Sequence, residues 1–162
     1  VPGGFCLNAE FPFWCDLREL RQAHRQAGSC ADTGDRVGAL KHYRRLFQTY
    51  KGPFLEECYM EWALQVRSEV EDLVLEASLE LAREAMEQGR FNEALECSRV
   101  ASKLDSCLEE AASLAMSAYL GLGRPAAAVR LFEAHKRALS LEFDSFPSIE
   151  LERLNQQAKL AV

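Results

Sequence analysis

The sequence copies itself at a fixed interval. Gly89-Arg90-Phe91-Asn92-Glu93-Ala94-Leu95 recurs 34 positions on as Gly123-Arg124-Pro125-Ala126-Ala127-Ala128-Val129, aligning Gly89 with Gly123 and Ala94 with Ala128. An earlier copy, Gly34 to Ala39, keeps the same step from glycine to alanine and places Tyr43 in register with Ser98 and Phe132. A period of this length is one supersecondary unit, which buries its apolar face only by stacking on its neighbours. In each unit the glycine suits a turn with positive φ, and the alanine lets two helices approach closely.

Hydrophobic spacing says what the units are made of. From Trp62 the apolar positions run Trp62, Val66, Val70, Leu73, Ala77 and Leu81, in steps of three and four, which predicts one face of a long amphipathic helix ending at Gly89. A second helix carries Phe91, Ala94, Leu95, Ser98 and Ala101. The spacing of Ser106 to Glu109 fits a capping box, so a third is expected to open after Ser106 and run to Gly121 or Gly123. Pro125 suits the first turn of a helix through Ala128, Phe132 and His135, and a last helix follows Pro147-Ser148 with Ile149, Leu151 and Leu154. Beta-branched residues are sparse after Lys51 and no alternating run appears there. The expectation is an all-α chain of three degenerate tetratricopeptide-like hairpin repeats forming an α-solenoid over residues 16–162, behind a short extended N-terminal arm, residues 1–15.

Charge is distributed unevenly. The formal net charge is -6, which is not the footprint of a dedicated nucleic-acid binder. Arg18 to Lys51 nevertheless holds eight basic residues against three acids, a local +5, leaving -11 for the rest. An anionic partner is therefore to be sought at this end. The long helix carries Glu69, Glu71, Asp72, Glu76, Glu80, Glu84 and Glu87 with only Arg83 on the same segment to offset them, which reads as a solvated face or an acidic docking face. Arg18, Arg21 and Arg25 fall on one face of a helix that Asp16 is expected to cap, suited either to surface salt bridges or to a phosphate backbone.

The six cysteines, Cys6, Cys15, Cys30, Cys58, Cys97 and Cys107, form no Cys-x-x-Cys pair and have no histidine at ligand spacing, so no metal site is expected. The longest apolar runs are far shorter than the roughly 20 residues of a membrane span, and Val1-Pro2-Gly3-Gly4 does not open a signal peptide. These features predict a soluble, cytoplasmic chain with reduced thiols and no membrane partner. Hydrolase, kinase and dinucleotide signatures are absent and the three histidines are scattered, so neither catalysis nor a cofactor is expected. His135 occupies the register of Leu46 and Ala101, which favours a core or groove side chain over a catalytic base.

Between the first and second repeats lies Tyr50-Lys51-Gly52-Pro53-Phe54-Leu55, followed by Trp62 and Arg67. Gly52-Pro53 breaks the preceding helix, and Phe54 and Leu55 are expected beneath the start of the long helix with Trp62 and Arg67 nearby. The block resembles the Tyr-x-Gly-Pro-Phe-Leu segment, with its downstream Trp and Arg, of the bacterial transcriptional activator domain found in SARP-type regulators. The turns at Gly89 and Gly123 and the stretch Glu142 to Ser148 follow in that family's order, so the resemblance covers roughly Leu17 to Leu154. The chain departs from the family at Leu141 to Pro147, a segment one or two residues longer than the family's. Gly3-Gly4-Phe5-Cys6-Leu7 resembles the tail of the winged-helix DNA-binding domain that normally precedes it.

The resemblance implies a non-catalytic regulatory module that dimerises, positions an attached DNA-binding domain absent from this chain, and contacts RNA polymerase. The repeat architecture by itself allows a rival, a freestanding tetratricopeptide scaffold or peptide-binding adaptor. Either would use the extended concave surface of a repeat array, here the first helices of the hairpins, with Tyr43, Arg44 and Gln65 as candidate contacts.

Overall fold

The computed structural model describes residues 14–161, so the segment read as the N-terminal arm lies almost wholly outside the described residues. Among the described residues there are seven helices and no strand: α1 (Asp16–Asp32), α2 (Arg36–Thr49), α3 (Glu61–Glu87), α4 (Phe91–Leu104), α5 (Glu109–Gly121), α6 (Pro125–Phe143) and α7 (Ile149–Leu160). The 34-residue period emerges as three antiparallel hairpins, α1–α2, α3–α4 and α5–α6, closed by α7.

All three hairpins turn in the same way. Gly34, Gly89 and Gly123 have φ of +76°, +69° and +66°. In each, the amide after the glycine donates five residues back, Asp35 to Cys30, Arg90 to Ala85 and Arg124 to Tyr119, at 2.8 Å. This closes the carbonyls left open at the end of the first helix. The repeated alanines do what their size permits: Ala94 and Ala128 are fully buried and Ala39 nearly so, each where its second helix crosses the first.

The core is staggered along the array. Leu20, Ala23 and Ala27 of α1 and Leu40, Tyr43 and Leu46 of α2 pack on Val70, Val74, Ala77 and Leu81 of α3. Ala85, Ala94, Leu95, Ala115 and Ala118 join α3, α4 and α5. Met116, Phe132 and Leu151 join α5, α6 and α7. Helices α1, α3, α5 and α7 touch one another in sequence, whereas α2, α4 and α6 do not. The first helices of the hairpins, with α7, therefore form one continuous inner layer along the array. His135 is buried in the register shared with Leu46 and Ala101, and its Nδ1 lies 3.1 Å from the Ser106 carbonyl.

Several local expectations are corrected. Trp62 leaves the predicted apolar face and is half exposed, because the buried stripe of α3 is set by Ala63, Val70, Val74 and Ala77. Asp16 does not cap α1: Cys15 holds the cap position, and the Asp16 carboxylate accepts from the adjacent Leu17 amide at 2.7 Å. Nor do Ser106 and Glu109 form a capping box. Asp105 captures the Cys107 amide at 2.8 Å and extends the turn, Leu108 becomes the cap position of α5, and the Ser106 hydroxyl donates to Glu142. Glu109 serves the far helix instead, accepting from the Ser148 amide at 2.5 Å, while the Ser148 hydroxyl caps α7 at the Leu151 amide. Before α7, Asp144 ends α6 in a left-handed conformation, φ +48°.

Candidate interaction surface

Part of the charge asymmetry of the sequence is met inside the fold, where Arg21, Arg36 and Arg44 of the first hairpin pair with acids of α3. Glu69, Glu76, Glu80, Glu84 and Glu87 recur along one side of α3, which faces the first hairpin on one flank and α4 and α5 on the other. Arg21 of α1 makes a two-pronged pair with Glu69, at 2.7 and 2.6 Å. His24 and the Tyr43 hydroxyl share the two oxygens of Glu76, at 2.8 and 2.5 Å. Arg44 and Arg90 converge on Glu84, Arg36 reaches Glu87, and Arg83 bridges Glu80 to Glu110 of α5.

The titration behaviour follows from these partners. The bond from Arg21, reinforced by its charge, holds the Glu69 carboxyl below its ordinary value against some loss of hydration. Burial would push Glu76 up, yet the bonds from Tyr43 and His24 win and lower it. Burial likewise opposes Glu84, and Arg44 and Arg90 overcome it. The Tyr43 phenol is driven upward by burial and by the Glu76 carboxylate it faces. A side chain as buried as Glu84 stays charged only with such compensation.

The candidate contacts are thereby divided. Arg21 and Arg44 are engaged within the array, and Tyr43 is buried. Tyr43 and Arg44 moreover lie on α2, the second helix of its hairpin, away from the inner layer. Arg18 and Arg25 are exposed, seven residues apart on one side of α1, and Gln65 is exposed on α3. Sequence reasoning read the acids of α3 as a solvated face or an acidic docking face because only Arg83 is near them in the chain. Their partners Arg21, His24, Arg36 and Arg44 stand 40 to 52 positions away.

The Gly-Pro block sits beside the first turns of α3. Gly52-Pro53 does not itself break α2, which ends at Thr49 with Tyr50 already extended; Gly52, with φ +151°, opens the loop that runs to Met60 before α3 begins. Arg67, on the second turn of α3, reaches back over this loop. Its Nε donates to the Phe54 carbonyl at 2.9 Å, and its Nη2 to the carbonyls of Leu55, Glu56 and Cys58 at 2.5, 3.2 and 3.1 Å. A planar guanidinium is suited to gathering several carbonyls that face one point. Phe54 is partly buried as expected, but Leu55, at φ +43°, is not beneath the helix and is 49% exposed.

The end of the loop and the first turn of α3 leave apolar side chains in solvent. Tyr59, Met60, Trp62 and Leu64 are 80, 62, 52 and 44% exposed within six consecutive residues. Singly exposed apolar residues are ordinary on a protein surface, whereas several large ones within one corner make a candidate contact site. At the other end of the array Leu141, Phe143, Phe146 and Ile149 are also exposed, around the α6–α7 corner. The five described cysteines are unpaired, and Cys97, the buried one, has its thiol pushed up to about 11 by burial. No helix among the described residues is long and apolar enough to cross a membrane.

Comparison with known proteins agrees with this architecture. The sequence profile of the family described as Bacterial transcriptional activator domain matches residues 15–159. No curated protein matches the chain. Among solved structures, the C-terminal TPR-containing domain of a Plasmodium falciparum FK506-binding protein superimposes with a TM-score of 0.62. That similarity covers 91% of this chain and 92% of the other, at 13% identity, and is a likeness of fold.

Proposed function

This chain belongs to the bacterial transcriptional activator domain family, and from that premise we propose that it is the non-catalytic regulatory part of a bacterial transcriptional regulator. In this reading it self-associates, positions an attached DNA-binding domain, and holds RNA polymerase through protein contacts. A tetratricopeptide-like array suits this work, because it offers an extended, rigid surface.

The observation that carries the reading is the corner built by the Gly-Pro block. Arg67 holds the loop that leads into this corner, where Tyr59, Met60 and, on the first turn of α3, Trp62 are exposed. Such aromatic and methionine side chains, fixed in position by a rigid support, are the composition of an interface centre. Arg18 and Arg25 lie on α1, the helix that follows the proposed DNA-binding domain, where they would strengthen DNA attachment without reading sequence.

The test is direct binding of the purified chain to bacterial RNA polymerase, compared with a Trp62→Glu variant, alongside sedimentation of each alone. The proposal expects polymerase binding that Trp62→Glu abolishes while helical content is unchanged. Binding that ignores the substitution, or no binding at all, removes polymerase contact from the reading. If the chain then binds extended peptides along α1, α3 and α5, the adaptor reading replaces it.

A further inference from the structure

Asn155, on α7, is only 5% exposed, and its Oδ1 has no hydrogen-bond partner among the described residues. A buried amide oxygen left unpaired lowers stability. The repeat register shows that the fold does not require one here. Ala82 in α3, Met116 in α5 and Asn155 in α7 hold equivalent places along the first helices, after Leu81, Ala115 and Leu154, and the first two are apolar and fully buried. Asn155 lines a cavity of about 220 Å³ between α6 and α7, with Phe132 on the α6 side. Its mouth carries one acid and one base from each helix, Glu133 and Lys136 from α6 and Glu152 and Lys159 from α7. All four residues are exposed and none is ion-paired among the described residues, whereas the α1–α3 and α3–α5 junctions close with the pairs Arg21–Glu69 and Arg83–Glu110.

We propose that this cavity binds a free α-amino acid with a small apolar side chain. Its ammonium donates to the Asn155 carboxamide oxygen and faces the carboxylates of Glu133 and Glu152, its carboxylate faces Lys136 and Lys159, and its side chain lies against Phe132. Three features select this ligand. The volume lies below the roughly 300–1,000 Å³ that drug-sized ligands occupy, so it suits one small molecule. The mouth carries both signs of charge, which matches a zwitterion, whereas a plain anion or a plain cation would meet two like charges there. The unpaired oxygen of Asn155 is an acceptor, and the ammonium is the end of the ligand that donates. That oxygen is closed off from solvent, and the ligand reaches it as the flexible lysine side chains at the mouth swing onto its carboxylate. Bound in this way, the amino acid bridges α6 to the last helix and stabilises the end of the array in proportion to its concentration. The site lies away from the Tyr59–Leu64 corner and stands whichever partner that corner binds.

The experiment uses the full 162-residue chain, isotope-labelled for nuclear magnetic resonance. It is titrated to millimolar concentration with glycine, L-alanine, L-valine and L-leucine, and the side-chain amide signal of Asn155 is identified by its loss in Asn155→Ala. The proposal expects a saturable shift of that signal with at least one of the four and a higher unfolding midpoint with the same ligand. Isobutylamine, which lacks the carboxylate, and isovalerate, which lacks the ammonium, should do neither. Asn155→Ala should keep the native unfolding midpoint or exceed it and lose the midpoint response. Lys136→Glu/Lys159→Glu, which alters only exposed residues, should keep the helical signal and bind at least tenfold more weakly. No shift with any of the four would mean that the cavity holds solvent only. An equal shift with N-acetyl-L-valinamide would mean that it reads peptide backbone, and an Asn155→Ala midpoint well below the native one would mean that the amide serves the fold. Each of these three results overturns the proposal.

Discussion

Arg67→Lys should unlatch the loop from Gly52 to Met60 although it conserves charge. Arg67 donates through two nitrogens to four carbonyls, with the Nε–Phe54 and Nη2–Leu55 contacts the shortest. A charged hydrogen bond contributes about 1.5–3 kcal/mol net, and the partial exposure of this guanidinium places both contacts at the low end or below. Removing them in Arg67→Ala should cost about 2 kcal/mol, and a lysine, with one point-like ammonium, should recover less than half. If the loop opens only together with the whole domain, the alanine variant should melt about 4–8 °C lower. The informative assay is hydrogen exchange at Cys58, whose amide donates to the Leu55 carbonyl at 2.8 Å inside the latched loop. If the loss is local, 2 kcal/mol speeds that exchange roughly 30-fold while amides of Val74 and Leu81 are little changed. A lysine variant indistinguishable from the native chain in Cys58 exchange would refute the argument that the forked geometry, rather than the charge, holds the loop.

Further expectations follow from the packed charges and turns. Glu84→Gln should cost about 2 kcal/mol, since it leaves Arg44 and Arg90 without their buried carboxylate, whereas Asp72→Asn, an equal charge change at an exposed position, should stay within about 0.5 kcal/mol in urea unfolding. Glu69, Glu76 and Glu84 all have folded values below their ordinary ones. The stability they supply is therefore fully present above the ordinary carboxylate range, about 4.3, and is lost as pH falls through the depressed values. Unfolding followed from pH 7 down to about pH 3 should be flat at first and then steep, and shallower in Glu84→Gln. Gly89→Ala meets no atom within 4 Å of the added Cβ, so its cost is the left-handed backbone alone, about 1–2 kcal/mol by thermal unfolding.

What the sequence disclosed depended on the range of the interactions. The turns at Gly34, Gly89 and Gly123 and the small residues Ala39, Ala94 and Ala128 answer to geometry within one hairpin, and the period revealed them all. His135 was placed by the same register. The caps at Asp16 and Ser106 failed because a cap is decided by which of several nearby acceptors wins, and Asp105 and Cys15 took roles that spacing alone does not distinguish. The acidic side of α3 was misread for a different reason: its partners are brought in by the docking of the first hairpin, and chain proximity showed only Arg83. Within the Gly-Pro block, periodicity took Trp62 for core. The residue that could have corrected this was Arg67, since an arginine a few positions after a Gly-Pro loop is placed to bind its carbonyls and leave neighbouring apolar side chains outside.

The account's central claim is that the Arg67-latched corner is a transcriptional contact surface, and it is tested most directly in cells. The native gene is altered to encode Trp62→Glu, and its transcript profile is compared with those of the native and deletion strains at matched protein level. The account predicts that Trp62→Glu reproduces the transcript changes of the deletion while the purified protein keeps its helical content and melting temperature. A native transcript profile in the Trp62→Glu strain, or a deletion that leaves transcription unchanged, would contradict it.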